Sequence, residues 1–242
     1  AALGVGFIFF MTSLGAASVL FCREDTLPKS QTGMMGFAGG VMTAASVWSM
    51  LLPAIEQTRS EGTLPCWLPA AAGTAAGAAF LCALDALILR LRRGGSAEKS
   101  SMLMTAITLH NIPEGMAVGL AFALSGGADG LTAAAALALG IGVQNIPEGA
   151  AVSLPLRRMG MSRGRAFSMG VLSGAVEPLF GMLAVMAVSG ISRIMPWLLG
   201  FSAGAMLYVV VCELIPAADD RRGLFWYIAG FLLMMILDVA LG

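Results

Sequence analysis

The sequence predicts an all-α membrane protein with eight transmembrane helices, and three observations carry that reading. Hydrophobic residues make up 58% of the 242-residue chain and charged residues 12%, whereas soluble domains run at roughly 25% charged. Mean hydropathy is +0.86. The apolar residues also fall into eight stretches, each near the ~20 residues that cross a bilayer, and short connections hold most of the charge. Residues 1–242 therefore read as a single polytopic membrane domain with little room for a soluble one.

The first stretch, near 3–22, begins almost at Ala1, which reads as a trimmed start and not as a signal peptide; Arg23 and Lys29 follow it. The second, 33–55, contains Gly39-Gly40 and reaches Pro53 before a loop with Arg59. The third, 66–90, begins at Trp67, carries Gly73 and Gly77, and ends at Arg90, Arg92, Arg93 and Lys99. The fourth, 101–125, and the fifth, 131–155, are considered below; Arg157, Arg158, Arg163 and Arg165 follow. The sixth, 165–189, contains SGAVEPLFG. The seventh, 194–217, starts beside Arg193 and Trp197, and the eighth, 223–241, follows Arg221 and Arg222 and opens on Trp226-Tyr227. The 31 glycines and many alanines suit helices that pack closely within a bilayer.

Counted from the first helix, odd-numbered loops hold twelve of the fourteen Lys and Arg residues and even-numbered loops hold two. Positive charge stays in the cytoplasm, so the odd loops are expected inside and both termini outside. Trp67 and Trp197 then fall at the outer interface and Trp226-Tyr227 at the inner one. A weak internal repeat is also visible: GFAGGVM (36–42) in span two matches GFSAGAM (200–206) in span seven, and each is followed by a proline, Pro53 or Pro216. The two spans run in opposite directions, and an inverted repeat is a transporter signature.

Net charge is zero, which offers no basic surface to nucleic acid. The cysteines (Cys22, Cys66, Cys82, Cys212) are scattered without a CxxC pair, so zinc-finger and redox readings are weak. The chemistry lies in spans four and five. HNIPEG at His110–Gly115 recurs as QNIPEG at Gln144–Gly149, and His110 is the only histidine. Residues three or four apart share a helix face. His110, Asn111 and Glu114 therefore gather on one side of span four, and Gln144, Asn145 and Glu148 repeat the pattern in span five. Pro113 and Pro147 each lack an N–H and crowd the carbonyl four residues back. The carbonyls of Leu109 and Val143 are expected to lose their partners and the helices to kink.

An ionised side chain at mid-membrane costs about 2.5–3.5 kcal/mol on insertion scales. Glu114, Glu148 and Glu177 of span six all lie deep in their segments, with no Lys or Arg near them in sequence. Like charges so placed repel one another, and a divalent cation removes the penalty. Imidazole, carboxylate and amide oxygen together suit a borderline ion such as Zn²⁺ or Fe²⁺. A metal-dependent intramembrane hydrolase would want the second histidine of an HExxH helix, and none exists, so an enzyme is not expected. An ion-conducting channel with a structural metal stays open at this point.

HNIPEG in span four, NIPEG in span five and the Glu177-Pro178 pair of span six resemble the ZIP (Zrt/Irt-like protein) family of divalent metal transporters, and its GufA-type branch in particular. The likeness runs from GFAGGVMTAASVWSMLLPAIE to GFSAGAMLYVVVCELIP. It implies eight helices in a 3+2+3 arrangement, with helices four and five between two inverted three-helix repeats. It implies passage of metal down its gradient into the cytoplasm by alternating access through a binuclear site. Met42, His110, Glu114, Gln144 and Glu148 would line one metal position. Asn111, Glu114, Asn145, Glu148 and Glu177 would line the other, with Glu114 and Glu148 bridging. Zn²⁺, or Cd²⁺, Fe²⁺ or Mn²⁺, would be cargo, with no prosthetic group. The chain departs from the family in two places. Gln144 stands where many members have histidine, and the loop RRGGSAEKSS is short and lacks the usual histidines. Cys212 and Glu213 form a candidate exit site near the cytoplasmic end of span seven. The compact Ala-rich chain points to a bacterial inner (cell) membrane, with metal ions and lipid as partners and dimerisation left open.

Overall fold

The computed structural model describes the backbone of residues 1–22, 27–62, 64–91 and 96–241; the side chains of 27–31, 88–89, 91, 96–103, 105–107, 110, 189, 192 and 241 lie outside the described set. The described residues contain helix and no strand. The first predicted span is α1 (Ala2–Ala16) followed by α2 (Ser18–Phe21). The second is α3 (Leu27–Ala45), a π-helical turn (Ser46–Leu51) and α4 (Leu52–Glu61). The third, fourth and fifth are α5 (Leu68–Leu91), α6 (Ser96–Leu124) and α7 (Gly127–Arg158). The sixth divides into α8 (Arg163–Gly174) and α9 (Val176–Met186). The seventh is α10 (Val188–Val209), a second π-helical turn (Val210–Leu214) and α11 (Ile215–Ala217). The eighth is α12 (Arg221–Leu241).

Among the described residues seven helical stretches are long and apolar enough to cross a membrane: Ala2–Phe21, Thr32–Glu61, Leu68–Leu87, Gly127–Arg158, Arg163–Met186, Arg193–Ala217 and Arg221–Ala240. The predicted fourth span corresponds to α6, in which the apolar stretch found among the described residues is Asn111–Leu124.

Four helix pairs dominate the packing: α3 with α12, α5 with α10, α1 with α7, and α6 with α9. The first two pairs explain the GFAGG/GFSAG repeat. Gly36 and Gly40 lie against the Gly223 and Tyr227 carbonyls of α12, while Gly200 and Gly204 lie against the Ala70 and Thr74 carbonyls of α5. A Cβ at any of the four would strike backbone, so the repeated glycines mark two equivalent close crossings.

Both π-helical turns begin ten residues after the first of those glycines (Gly36 to Ser46, Gly200 to Val210). Pro53 and Pro216 cause them. Each lacks the N–H that would bond the carbonyl four residues back, and the helix widens by a residue to re-pair its backbone. Leu52 N accordingly donates to Val47 O and Ile215 N to Val210 O. By contrast, α6 and α7 continue through Pro113 and Pro147.

Candidate metal centre

The centre lies where α6, α7, α9 and α1 meet. Asn111, Glu114, Gln144, Asn145, Glu148 and Glu177 are all completely buried. The glycine closing each motif sets the approach of the neighbouring helix. Gly115 of α6 lies against the backbone of Glu177, and Gly149 of α7 against the backbone of Thr12 in α1. Glu177 sits in the first turn of α9, where the unpaired N–H groups of a helix start favour a carboxylate.

Hydrogen bonds polarise these side chains. Asn111 Nδ2 donates to Ser173 O (3.4 Å) and to Glu177 Oε1 (3.2 Å). Asn145 Nδ2 donates to Ile8 O (3.4 Å), and Gln144 Nε2 donates to Glu114 Oε1. A carbonyl or carboxylate oxygen can only accept, so each amide presents its NH2 to these partners and its oxygen faces the other way. Asn111 Oδ1, Gln144 Oε1 and Asn145 Oδ1, together with Glu114 Oε2 and Glu177 Oε2, have no hydrogen-bond partner among the described residues. Buried polar atoms are ordinarily paired. Five acceptors are left over, each on a residue whose other polar atom is engaged, and such oxygens have the chemistry to face a cation.

The charge balance agrees. Glu148 and Glu177 both act electrostatically on Glu114, and Glu148 acts on Glu177. The buried polar residues include these three carboxylates and, among the described residues, no Lys or Arg. No three described His, Cys, Asp or Glu side chains converge closely enough to hold an ion by themselves. The donor set is therefore mixed, with amide oxygens interleaved among the carboxylates. Oxygen donors of this kind suit a hard or borderline divalent ion.

The profile of the family described as ZIP Zinc transporter matches residues 91–238. The chain belongs to the ZIP family. It is 35% identical over 337 residues to zinc transporter ZIP11 of Homo sapiens, covering 100% of this chain and 97% of that protein. It is 38% identical over 248 residues to zinc transporter GufA of Myxococcus xanthus, covering 96% and 94%. It is 37% identical over 270 residues to zinc transporter ZIPB of Bordetella bronchiseptica, covering 100% and 81%. With seven apolar spans among its described residues, the protein is an integral multi-pass membrane protein.

Within this ZIP fold the remaining predicted residues sit as follows. The backbone of His110 belongs to α6, but its side chain lies outside the described residues. Met42 is completely buried in α3, which packs against α7. Cys212 is exposed and Glu213 half-buried in the second π-helical turn. Residues 92–95 of the short loop lie outside the described set.

Sequence reasoning missed two features. Thr12 and the Ile8 carbonyl of α1 contact the centre directly. The available signal was a hydroxyl in an otherwise apolar first span. Second, a cavity of about 490 Å³ opens between the first π-helical turn, α4, α7 and α12. Ser49, Glu56, Gly140 and Asp238 help to line it, and Ser49 Oγ donates to Asp238 Oδ1 (2.8 Å). Gly140 is one helical turn before Gln144 on the same face.

Proposed function

We propose that this protein carries divalent transition-metal ions, Zn²⁺ foremost and Cd²⁺, Fe²⁺ or Mn²⁺ as alternatives, into the cytoplasm by alternating access. The observation that carries this reading is the set of five buried amide and carboxylate oxygens on α6, α7 and α9 without hydrogen-bond partners among the described residues. The relatives' names support it, since all three are called zinc transporters. Met42, His110, Glu114, Gln144 and Glu148 form one metal position; Asn111, Glu114, Asn145, Glu148 and Glu177 form the second; Glu114 and Glu148 bridge them. The metal is cargo, so no prosthetic group and no covalent chemistry are required, and the protein is a carrier and not an enzyme.

Residues 1–242 act as one transport domain of eight helices in a 3+2+3 arrangement, with inverted repeats around helices four and five. The Lys/Arg distribution supports odd loops inside and both termini outside, in a bacterial inner membrane. In that orientation the cavity beside Asp238 opens outward and leads toward Gln144. Cys212 and Glu213 receive the ion on the cytoplasmic side.

The test is uptake of radioactive Zn²⁺ into liposomes containing the purified protein. The parent gives saturable uptake, which separates a carrier from a channel. His110→Ala and Glu148→Ala reduce it to the level of empty liposomes. Parental uptake by both variants would remove the site assignment.

A further inference from the structure

We infer that Thr12 of α1 is a positioning residue for the metal centre, holding Glu177 so that one carboxylate oxygen is left for the cation. This rests on Glu177 being a ligand to the cargo.

Thr12 is completely buried. Its Oγ1 lies 2.7 Å from Glu177 Oε1 and 3.2 Å from Ile8 O. One hydroxyl has one proton, and the shorter contact is the one to the carboxylate. Glu177 Oε1 thus takes two donors, Thr12 Oγ1 and Asn111 Nδ2 (3.2 Å). Glu177 Oε2 takes none from the described residues. The donors on one oxygen stop the carboxylate from turning, and the second oxygen becomes the one presented.

Packing holds Thr12 in place. Its carbonyl lies against Gly149 of the second motif copy. Its Cγ2 occupies the space over Gly174, 2.8 Å from where a Cβ would be. Ile8, one turn earlier on the same face, accepts from Asn145 Nδ2 (3.4 Å). A single turn of α1, with no charged residue in it, therefore orients one site residue from α7 and one from α9. Removing a group that orients a metal ligand through a hydrogen bond typically costs about 10- to 100-fold in affinity.

The test compares Thr12→Val, which keeps the shape and removes the proton, with Thr12→Ser, which keeps the proton. Thr12→Val raises the KM for Zn²⁺ uptake and the Kd for Cd²⁺ binding to the detergent-solubilised protein by about 10- to 100-fold, the range for losing a group that orients a ligand. The maximal rate per transporter stays near parental. Thr12→Ser returns both constants toward the parent. If Thr12→Val does not reach the membrane, Thr12→Ala removes the same proton without crowding Gly174 and is held to the same expectation. Parental KM and Kd in the hydroxyl-free variant overturn the inference. So does a Thr12→Ser protein as impaired as that variant, because packing would then be the cause. Glu177→Ala separates the two layers. Parental transport by that variant removes Glu177 from the site altogether. Loss of transport in Glu177→Ala beside parental behaviour in Thr12→Val removes Thr12 alone.

Discussion

Gly115 of the first motif copy lies against the backbone of Glu177, and Gly149 of the second lies against the backbone of Thr12. The two crossings are alike, since in each the motif glycine lets a neighbouring helix approach to backbone contact. The side chains brought in are not alike. One crossing delivers a carboxylate, and the other delivers a hydroxyl that donates to that carboxylate. A carboxylate at both crossings would place a fourth negative charge in a buried cluster that already holds Glu114, Glu148 and Glu177. The repeated frame fixes where helices meet, and the unequal residues on it determine how much charge the centre carries.

The crossings themselves offer the largest effect. Gly115→Val and Gly149→Val each force a side chain into backbone, and overpacking of this kind costs about 1–3 kcal/mol or more. Both variants are expected to lose monodisperse yield and thermal midpoint in detergent. Gly6, with nothing within 4 Å of an added Cβ, supplies the control, and Gly6→Val should stay within about 0.5 kcal/mol of the parent. If only one motif glycine tolerates valine, the two crossings are not structurally equivalent.

Gln144→His makes the two motif copies identical in sequence. It replaces an amide oxygen with an imidazole nitrogen and removes the donor to Glu114 Oε1. Imidazole suits Zn²⁺, whereas amide and carboxylate oxygens also suit Mn²⁺. The expected outcome is a rise of about 10-fold in preference for Zn²⁺ over Mn²⁺, read from competition in uptake. An unchanged ratio would mean that the inequality of the copies does not set selectivity.

Asp238 tests the comparison from outside the centre. It lines the cavity one turn from Gln144 and pairs with Ser49. Asp238→Asn keeps the shape and removes a charge that concentrates cations. The KM for Zn²⁺ should rise by about 2- to 5-fold at low ionic strength and less at high salt, because screening weakens such steering. An effect as large as that of Thr12→Val would place Asp238 in the centre itself.

Much of the fold was legible because hydropathy and charge are local properties. Helix ends fall within a few residues of the expected ones in most places, as with 131–155 against Gly127–Arg158, and seven helical stretches among the described residues are long and apolar enough to cross a membrane. The interruptions were not legible. Ala17 and Ala175, which divide the first and sixth spans, are small apolar residues in apolar runs. The departures from α-helical geometry fall before Pro53 and Pro216, whereas Pro113 and Pro147 lie inside continuous helices. Proline identity alone does not say how a helix re-pairs its backbone.

The centre divides in the same way. The burial of Asn111, Glu114, Gln144, Asn145, Glu148 and Glu177 could be read from the sequence because they lie deep in apolar segments. Thr12 could not. Threonine inside a helix usually donates to the carbonyl four residues back, and Thr43, Thr58, Thr74 and Thr108 all do so here. Thr12 makes that contact too, at 3.2 Å, but lies closer to Glu177, 165 residues away in the chain.

The sequence by itself determined that the chain spans a membrane, that its family is ZIP, and that two motif faces gather amides and carboxylates inside apolar segments. All three depend on composition and on spacing within one helix. Only the tertiary structure decided which atom of each amide points inward, that Gln144 donates to Glu114, and that Thr12 and the Ile8 carbonyl of α1 bond Glu177 and Asn145. Those outcomes depend on helix pairs meeting at glycines. A hydrogen bond across such a crossing is set by which backbones can approach, and no window of adjacent residues contains that information.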